Sequence, residues 1–381
     1  MELRMGCGTS SSREDKVQRL AESLIHRNIQ EVGRHETITD AYQRLDKEIC
    51  ALEGRCPGPR LATAEAWIEH LQAKLKSLWS DTAEEGVTLD DDFWFKTQQA
   101  SEDDVKDIVK QLTVKLGVVS DVEKSVANED FLATVSRKSL QTSANQYYLD
   151  MIERAKNRAK TLLMSYNQLK ALYIEQDGLI ASVNGGVYSN VIEERLDARL
   201  EEARSVRDKL GSILEQWRTC GLLLKTSWKA ARQVQDLWQL AKKSSDEKER
   251  ISLILDCRHA SQASLIALEC AEMALPQVDM KFVTKRQCLA VHHACVYLLT
   301  DIADDTRFNH TNRVFEAYQN NLAKAVEWLY ATFEKTLKRD FNDAEEATLD
   351  LAKQLRHHRM EIFMKEIGPK VYLPNVAIDT G

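Results

Sequence analysis

The chain has 381 residues, 43% apolar and 29% charged, with only 14 glycines and 5 prolines and a formal net charge of −7. Such a balance fits a folded protein with a real core. Scarce Gly and Pro, with no sustained run of alternating β-branched residues, predict an almost wholly helical chain. Nine acidic residues against one lysine between positions 81 and 104 hold a net −8, so the remainder is nearly neutral at +1 and nucleic-acid binding is not expected.

Residues 1–13 are small and polar and read as a flexible leader. Within them, Met5-Gly6-Cys7-Gly8-Thr9-Ser10 fits an acylation signal if translation starts at Met5. Gly6 then becomes the myristoylated terminus, with Ser10 where that motif prefers a hydroxyl and Cys7 as the palmitoylation site. One acyl chain binds membranes reversibly and two anchor stably. Arg13, Lys16 and Arg19 would add attraction to anionic lipid. With Met1 as the start, Gly6 is internal and the segment is a plain polar leader.

Helical patterns follow near 14–32 and 36–53, the second stopped by the Gly-Pro-rich run at 54–59. A third, near 64–79, places Trp67, Leu71, Leu75 and Leu78 on one face. The acidic stretch 81–92 reads as a loop that runs into Phe93, Trp94 and Phe95. Carboxylates beside three aromatics form either a docking motif for a basic, grooved partner or a plug for the N-terminal helices. A helix should start at 101–104 and end at Gly117, with Ser120 and Glu123 forming a capping box for the next one.

The strongest pattern spans 191–243. Leu196, Ala203, Leu210, Trp217, Leu224, Ala231 and Trp238 repeat every seven residues. Val206, Ile213, Cys220, Val234 and Ala241 make a second row, interrupted at Arg199 and Ser227. A preceding helix, near 139–183, carries Ile152, Ala159, Tyr166, Tyr173 and Ile180, with its companion row broken at Gln176. Asn184-Gly185-Gly186 between the two supplies residues that tolerate positive φ. The expected fold is therefore all-α: an elongated antiparallel helical bundle built around a long heptad-patterned αα-hairpin. Leu200, Leu214, Leu223, Trp228 and Leu237 widen the stripe beyond a two-stranded seam. Further helices, expected at 246–275, 284–304, 311–341 and 343–367, should cover it. The expected organisation is a leader, a helical region over 14–135, the long-helix bundle over 139–368 and an extended tail over 369–381. In architecture such a hairpin is similar to spectrin-, vinculin- or BAR-like helical proteins, a likeness of shape that fixes no function.

The residues that could carry chemistry are few. Eight dispersed cysteines without a CxxC pair, and no apolar leader segment, read as reduced thiols in a cytosolic protein. Cys288, His292 and Cys295 stand at i, i+4, i+7 on one helix face and suit zinc, although a fourth ligand is not evident. Ordinary core packing is the preferred reading of them. Arg356, His357, His358 and Arg359 form a basic, pH-sensitive contact candidate or a solvated helix C-terminus. No phosphate loop, dinucleotide fingerprint, nucleophile elbow or His-Glu-x-x-His occurs. The expectation is a non-enzymatic intracellular α-helical adaptor without a cofactor, binding protein partners through helix faces and held at a membrane surface if acylated. A lipid-binding or membrane-shaping homodimer and a helical metalloprotein are the alternatives.

Overall fold

The computed structural model describes residues 36–84, 102–366 and 368. Among them are ten helices and no strand, so the chain is all-α. In order they are α1 (Ile38–Glu53), α2 (Pro57–Glu84), α3 (Glu102–Leu116), α4 (Val122–Ala127) and α5 (Glu129–Asn184), then α6 (Val191–Lys243), α7 (Glu247–Ala274), α8 (Lys285–Asp301), α9 (Asp305–Lys335) and α10 (Leu337–Glu366). None is long and apolar enough to cross a membrane.

Local chemistry sets the boundaries. Thr37 caps α1 by accepting the Asp40 amide, and Thr284 with Gln287 closes a reciprocal capping box on α8. Pro57 and Pro59 occupy the first turn of α2, where a missing N–H costs nothing. Gly117, Gly185 and Gly186 adopt φ of 63°, 70° and 79°, ending α3 and turning the chain between α5 and α6.

Several expected boundaries are corrected. The cap of α4 is Asp121, which accepts from Glu123 N and Lys124 N, in place of a Ser120 box. A carboxylate one residue later satisfies the same orphan donors. Asp304 caps α9, which starts at Asp305, six residues before the expected start, and the break before α10 falls at Thr336, where no Gly or Pro announces it. The helix α5 runs without a break through 135–139, between the two regions expected to either side.

The chain forms two compact units that interleave along the sequence. The first comprises the described parts of Met1–Leu61, Lys160–Gly211 and Asp340–Gly381. Its apolar residues gather in small clusters. Ile38, Ala41, Tyr42, Leu179, Ile362 and Phe363 form one, with Tyr42 edge-on to Phe363 at 5.2 Å. Leu45, Ile49, Leu169 and Leu172 form another, and Leu200, Ala352 and Leu355 a third. Buried ion pairs lie among them. Glu53 faces Arg204 at 3.0 Å and Arg207 at 3.4 Å, Arg359 holds Glu193 at 2.8 Å, and Arg356 holds Asp46. Tyr173 lies 5.7 Å from the Arg204 guanidinium, which sits over its ring.

The second unit comprises Ala62–Ala159 and Ser212–Arg339, described parts. One continuous core runs through it, from Val109 and Leu132 through Leu224, Ile251 and Leu298 to Leu322. At its centre Trp238 stacks on Phe308 at 5.0 Å and meets Phe315 edge-on at 6.2 Å. The heptad interruption at Ser227 is a buried polar contact: its hydroxyl donates to Ser264 O at 2.8 Å, and Ser264 Oγ donates back to Ser227 O at 2.8 Å.

Candidate functional site

In the second unit, α2, α5, α6 and α7 leave an open cleft of about 410 Å³. Its floor is made of small residues, Ala155, Ala263 and Ala267, which keep the helices close while leaving room above them. Trp67, Met151, Leu222, Leu223 and Ile266 form apolar walls. Leu222 is 50% exposed, an apolar side chain held at the mouth with nothing described over it.

Part of the lining is charged. Arg158 on α5 reaches Glu215 on α6 through two parallel bonds, Nε to Oε1 and Nη2 to Oε2, each 2.8 Å. Arg218 adds a third bond at 3.1 Å to the same carboxylate. The Glu215 bonds hold the Arg158 pKa above its ordinary value, so this guanidinium is fixed in charge and position. With Arg154 and Asp150 the lining carries three cations and two carboxylates, a net +1. The arrangement can bind something apolar that ends in negative charge. It places no nucleophile beside a base.

A second cavity, of about 500 Å³, lies within the first unit among Asp46, Gln176, Glu193, Asp197, Arg204 and Arg359. Its arginines are already committed to the ion pairs above. Burial lifts the carboxyls of Asp46 and Glu53 above their ordinary values, against the pull of Arg356 and Arg204 respectively. This network joins α1, α6 and α10 and reads as internal cross-linking.

The candidates named from sequence fall elsewhere. Gly6, Cys7, Phe93, Trp94 and Phe95 lie outside the described residues. Cys288, His292 and Cys295 do not converge: Cys295 is buried in the core, Cys288 half-buried and His292 exposed. No three His, Cys, Asp or Glu among the described residues could hold a metal ion together. The helical spacing placed them on one face, but that face runs from core to solvent across its width. Of the basic cluster, Arg356 and Arg359 are turned inward onto Asp46, Glu193 and Asp197, which corrects their reading as partner contacts. His358 meets Asn190 at 3.0 Å, and exposed His357 lies 3.4 Å from Glu361.

The cleft residues were not singled out by sequence. Alanines recur along α7 at 260, 263, 267, 271 and 274, but a small residue signals close approach and an empty floor equally. Arg158 and Glu215 sit on helix faces crowded with charge, and only the fold brings them together. No protein family, curated protein or solved structure matches this chain.

Proposed function

We propose that this protein is a non-enzymatic α-helical adaptor whose cleft receives an amphipathic helix of a protein partner, apolar along one face and acidic at one end. The observation that carries this reading is the cleft itself: an alanine floor, apolar walls and guanidinium groups fixed by Glu215. Helix-in-groove recognition uses such a slot, with apolar anchors at i, i+3, i+4 and i+7. The excess of arginine over carboxylate selects acidic side chains and steers their approach. In the same reading Gly6 and Cys7 tether the adaptor at a membrane when Met5 is the start used, so that partners gather at high local concentration. The mass of the N-terminal peptide from native cells tests that tether.

The cleft is tested by placing a photo-crosslinking residue at Leu222 and sequencing the peptides it captures. The expected peptide is an acidic amphipathic helix. A labelled synthetic copy should bind the purified chain, and Ala263→Phe, which fills the floor, should weaken that binding about 10-fold or more. Capture of lipid alone, or binding indifferent to Ala263→Phe, would sink the proposal. Lipid capture would favour the lipid-binding reading.

A further inference from the structure

A charge without a counter-charge among the described residues lies in the second unit, next to the cleft along α5 and α7. Arg258 on α7 is 5% exposed. Its Nη1 donates to Ser136 Oγ at 3.1 Å and its Nη2 to Ser139 Oγ at 3.0 Å, both neutral hydroxyls on α5. Among the described residues no carboxylate pairs with it. Burial lowers its pKa to about 10, which leaves it a full cation at neutral pH. The one group that acts on its charge is Cys295, whose thiol burial pushes up to about 12 and so keeps neutral. Buried charges are normally paired, because an isolated ion in a dry interior is strongly unfavourable.

Beside the guanidinium is a recess of about 10 Å³, room for a single small occupant, lined by Lys106, Ser139, Thr142, Ser143, Leu255 and His259. Lys106 is paired with Asp256, so those two charges offset each other. Thr142 Oγ1 donates to Lys138 O and Ser143 Oγ to Gln262 Oε1. Ser139 Oγ accepts from Arg258, and its own proton is donated to no described group. One cationic fork and one available hydroxyl therefore face a space too small for a phosphate ester.

We infer that this recess is an anion site, in which a monovalent, chloride-sized ion seated against Arg258 and the Ser139 hydroxyl supplies the missing counter-charge. The ion belongs to the folded state alone, so it stabilises the fold in proportion to its concentration over its dissociation constant.

The test is thermal unfolding of the full chain as sodium gluconate is replaced by sodium chloride at constant ionic strength. The expected result is a saturable rise in Tm of about 2 °C. Arg258→Met, which removes the charge and keeps the stem, should flatten the curve. Ser139→Ala, which keeps Arg258, should move half-saturation to about 10-fold higher chloride, and it carries the test if the methionine variant does not fold. Equal Tm in the two salts, or a chloride effect that survives both substitutions, overturns the site and leaves the recess to a water molecule.

Discussion

The same heptad row is treated differently at the two ends of α6. Leu224 and Trp238, in the second unit, are fully buried, and Ala231 nearly so. Leu196, Ala203 and Leu210, in the first unit, are only half-buried. The companion row follows the same trend toward the far end of α6: Val206 is 50% exposed and Ile213, just inside the second unit, 39%, whereas Cys220, Val234 and Ala241 are buried. The second unit closes around one large apolar core, with a smaller cluster at Leu71, Leu75, Tyr148, Ile152, Ile266 and Cys270. The first divides its apolar residues into small clusters joined by Glu53, Asp46, Glu193 and their arginines. Apolar burial is non-directional and spreads any loss over many neighbours, whereas a buried ion pair fails locally when one partner is removed.

The largest effect that could sharpen this contrast is Trp238→Ala. Removing a ring that stacks on Phe308 and meets Phe315 should cost about 4 kcal/mol. Pulsed thiol alkylation reads each unit by itself, because Cys220 and Cys257 are buried in the second and Cys56 in the first. Burial pushes the Cys56 and Cys220 thiols up to about 12, so labelling at neutral pH reports opening. Both Cys220 and Cys257 should label faster together. Acceleration confined to one of them would break the picture of a single core.

Next is Glu53→Ala, which leaves Arg204 and buried Arg207 without the carboxylate they share and should cost about 3 kcal/mol. Cys56 is expected to label faster and Cys220 unchanged. Replacing Glu53 and Arg207 together by Met should recover part of the loss, since buried Arg207 is no longer left unpaired while Arg204 keeps Glu201. A double variant as unstable as the single one would show that shape, not charge, matters at this position.

These two substitutions also mark what the sequence made legible. Trp238 was readable from its seven-residue spacing alone, and so were the bounds of α6, because period and burial agree wherever the environment is uniformly apolar. Glu53 was not. It closes α1 as an ordinary charged residue, and its two arginines stand about 150 positions away on another helix. Gln176 broke the pattern on α5 and is nonetheless buried at 6%, because that face of the first unit is polar inside. Periodicity detects apolar interiors, and ionic ones look like surface. The cleft was hidden for a related reason, since Arg158 meets Glu215 only once α5 and α6 are paired.

A smaller effect is expected where α6 passes close to Cys56 in the first unit. A Cβ on Gly211 would stand 2.6 Å from Cys56 Cβ, closer than packed carbons approach. Cys56 has little room to yield, being itself held at φ 46°. Gly211→Ala should therefore cost about 2 kcal/mol through overpacking, despite the better helix propensity of alanine. Denaturant unfolding followed at Cys56 checks this. A stabilised Gly211→Ala would mean that the first unit shifts freely, as a loosely cross-linked cluster could.

The smallest expected effect is a difference in sign with pH. Asp46 and Glu53, both on α1, have pKa values raised above 3.8 and 4.5, chiefly by burial, so the folded state holds their protons more tightly than the unfolded chain does. By linkage these groups add stability as pH falls through their folded values, and the gain is complete below 3.8 and 4.5. Asp121, the exposed cap of α4 in the second unit, is the opposite case: the Lys124 and Glu123 amides hold its pKa below 3.8. Its contribution is present above 3.8 and is lost as pH falls through the lower folded value. Hydrogen exchange from pH 7 downward, corrected for intrinsic rate, should show α1 amides gaining protection while α4 amides hold and then lose it in stronger acid. Glu53→Gln should shrink the gain at α1. Protection that falls at α1 over the same range would mean that the arginine attractions outweigh the burial of those carboxylates, and the ionic interior would then stabilise the first unit at neutral pH in its own right.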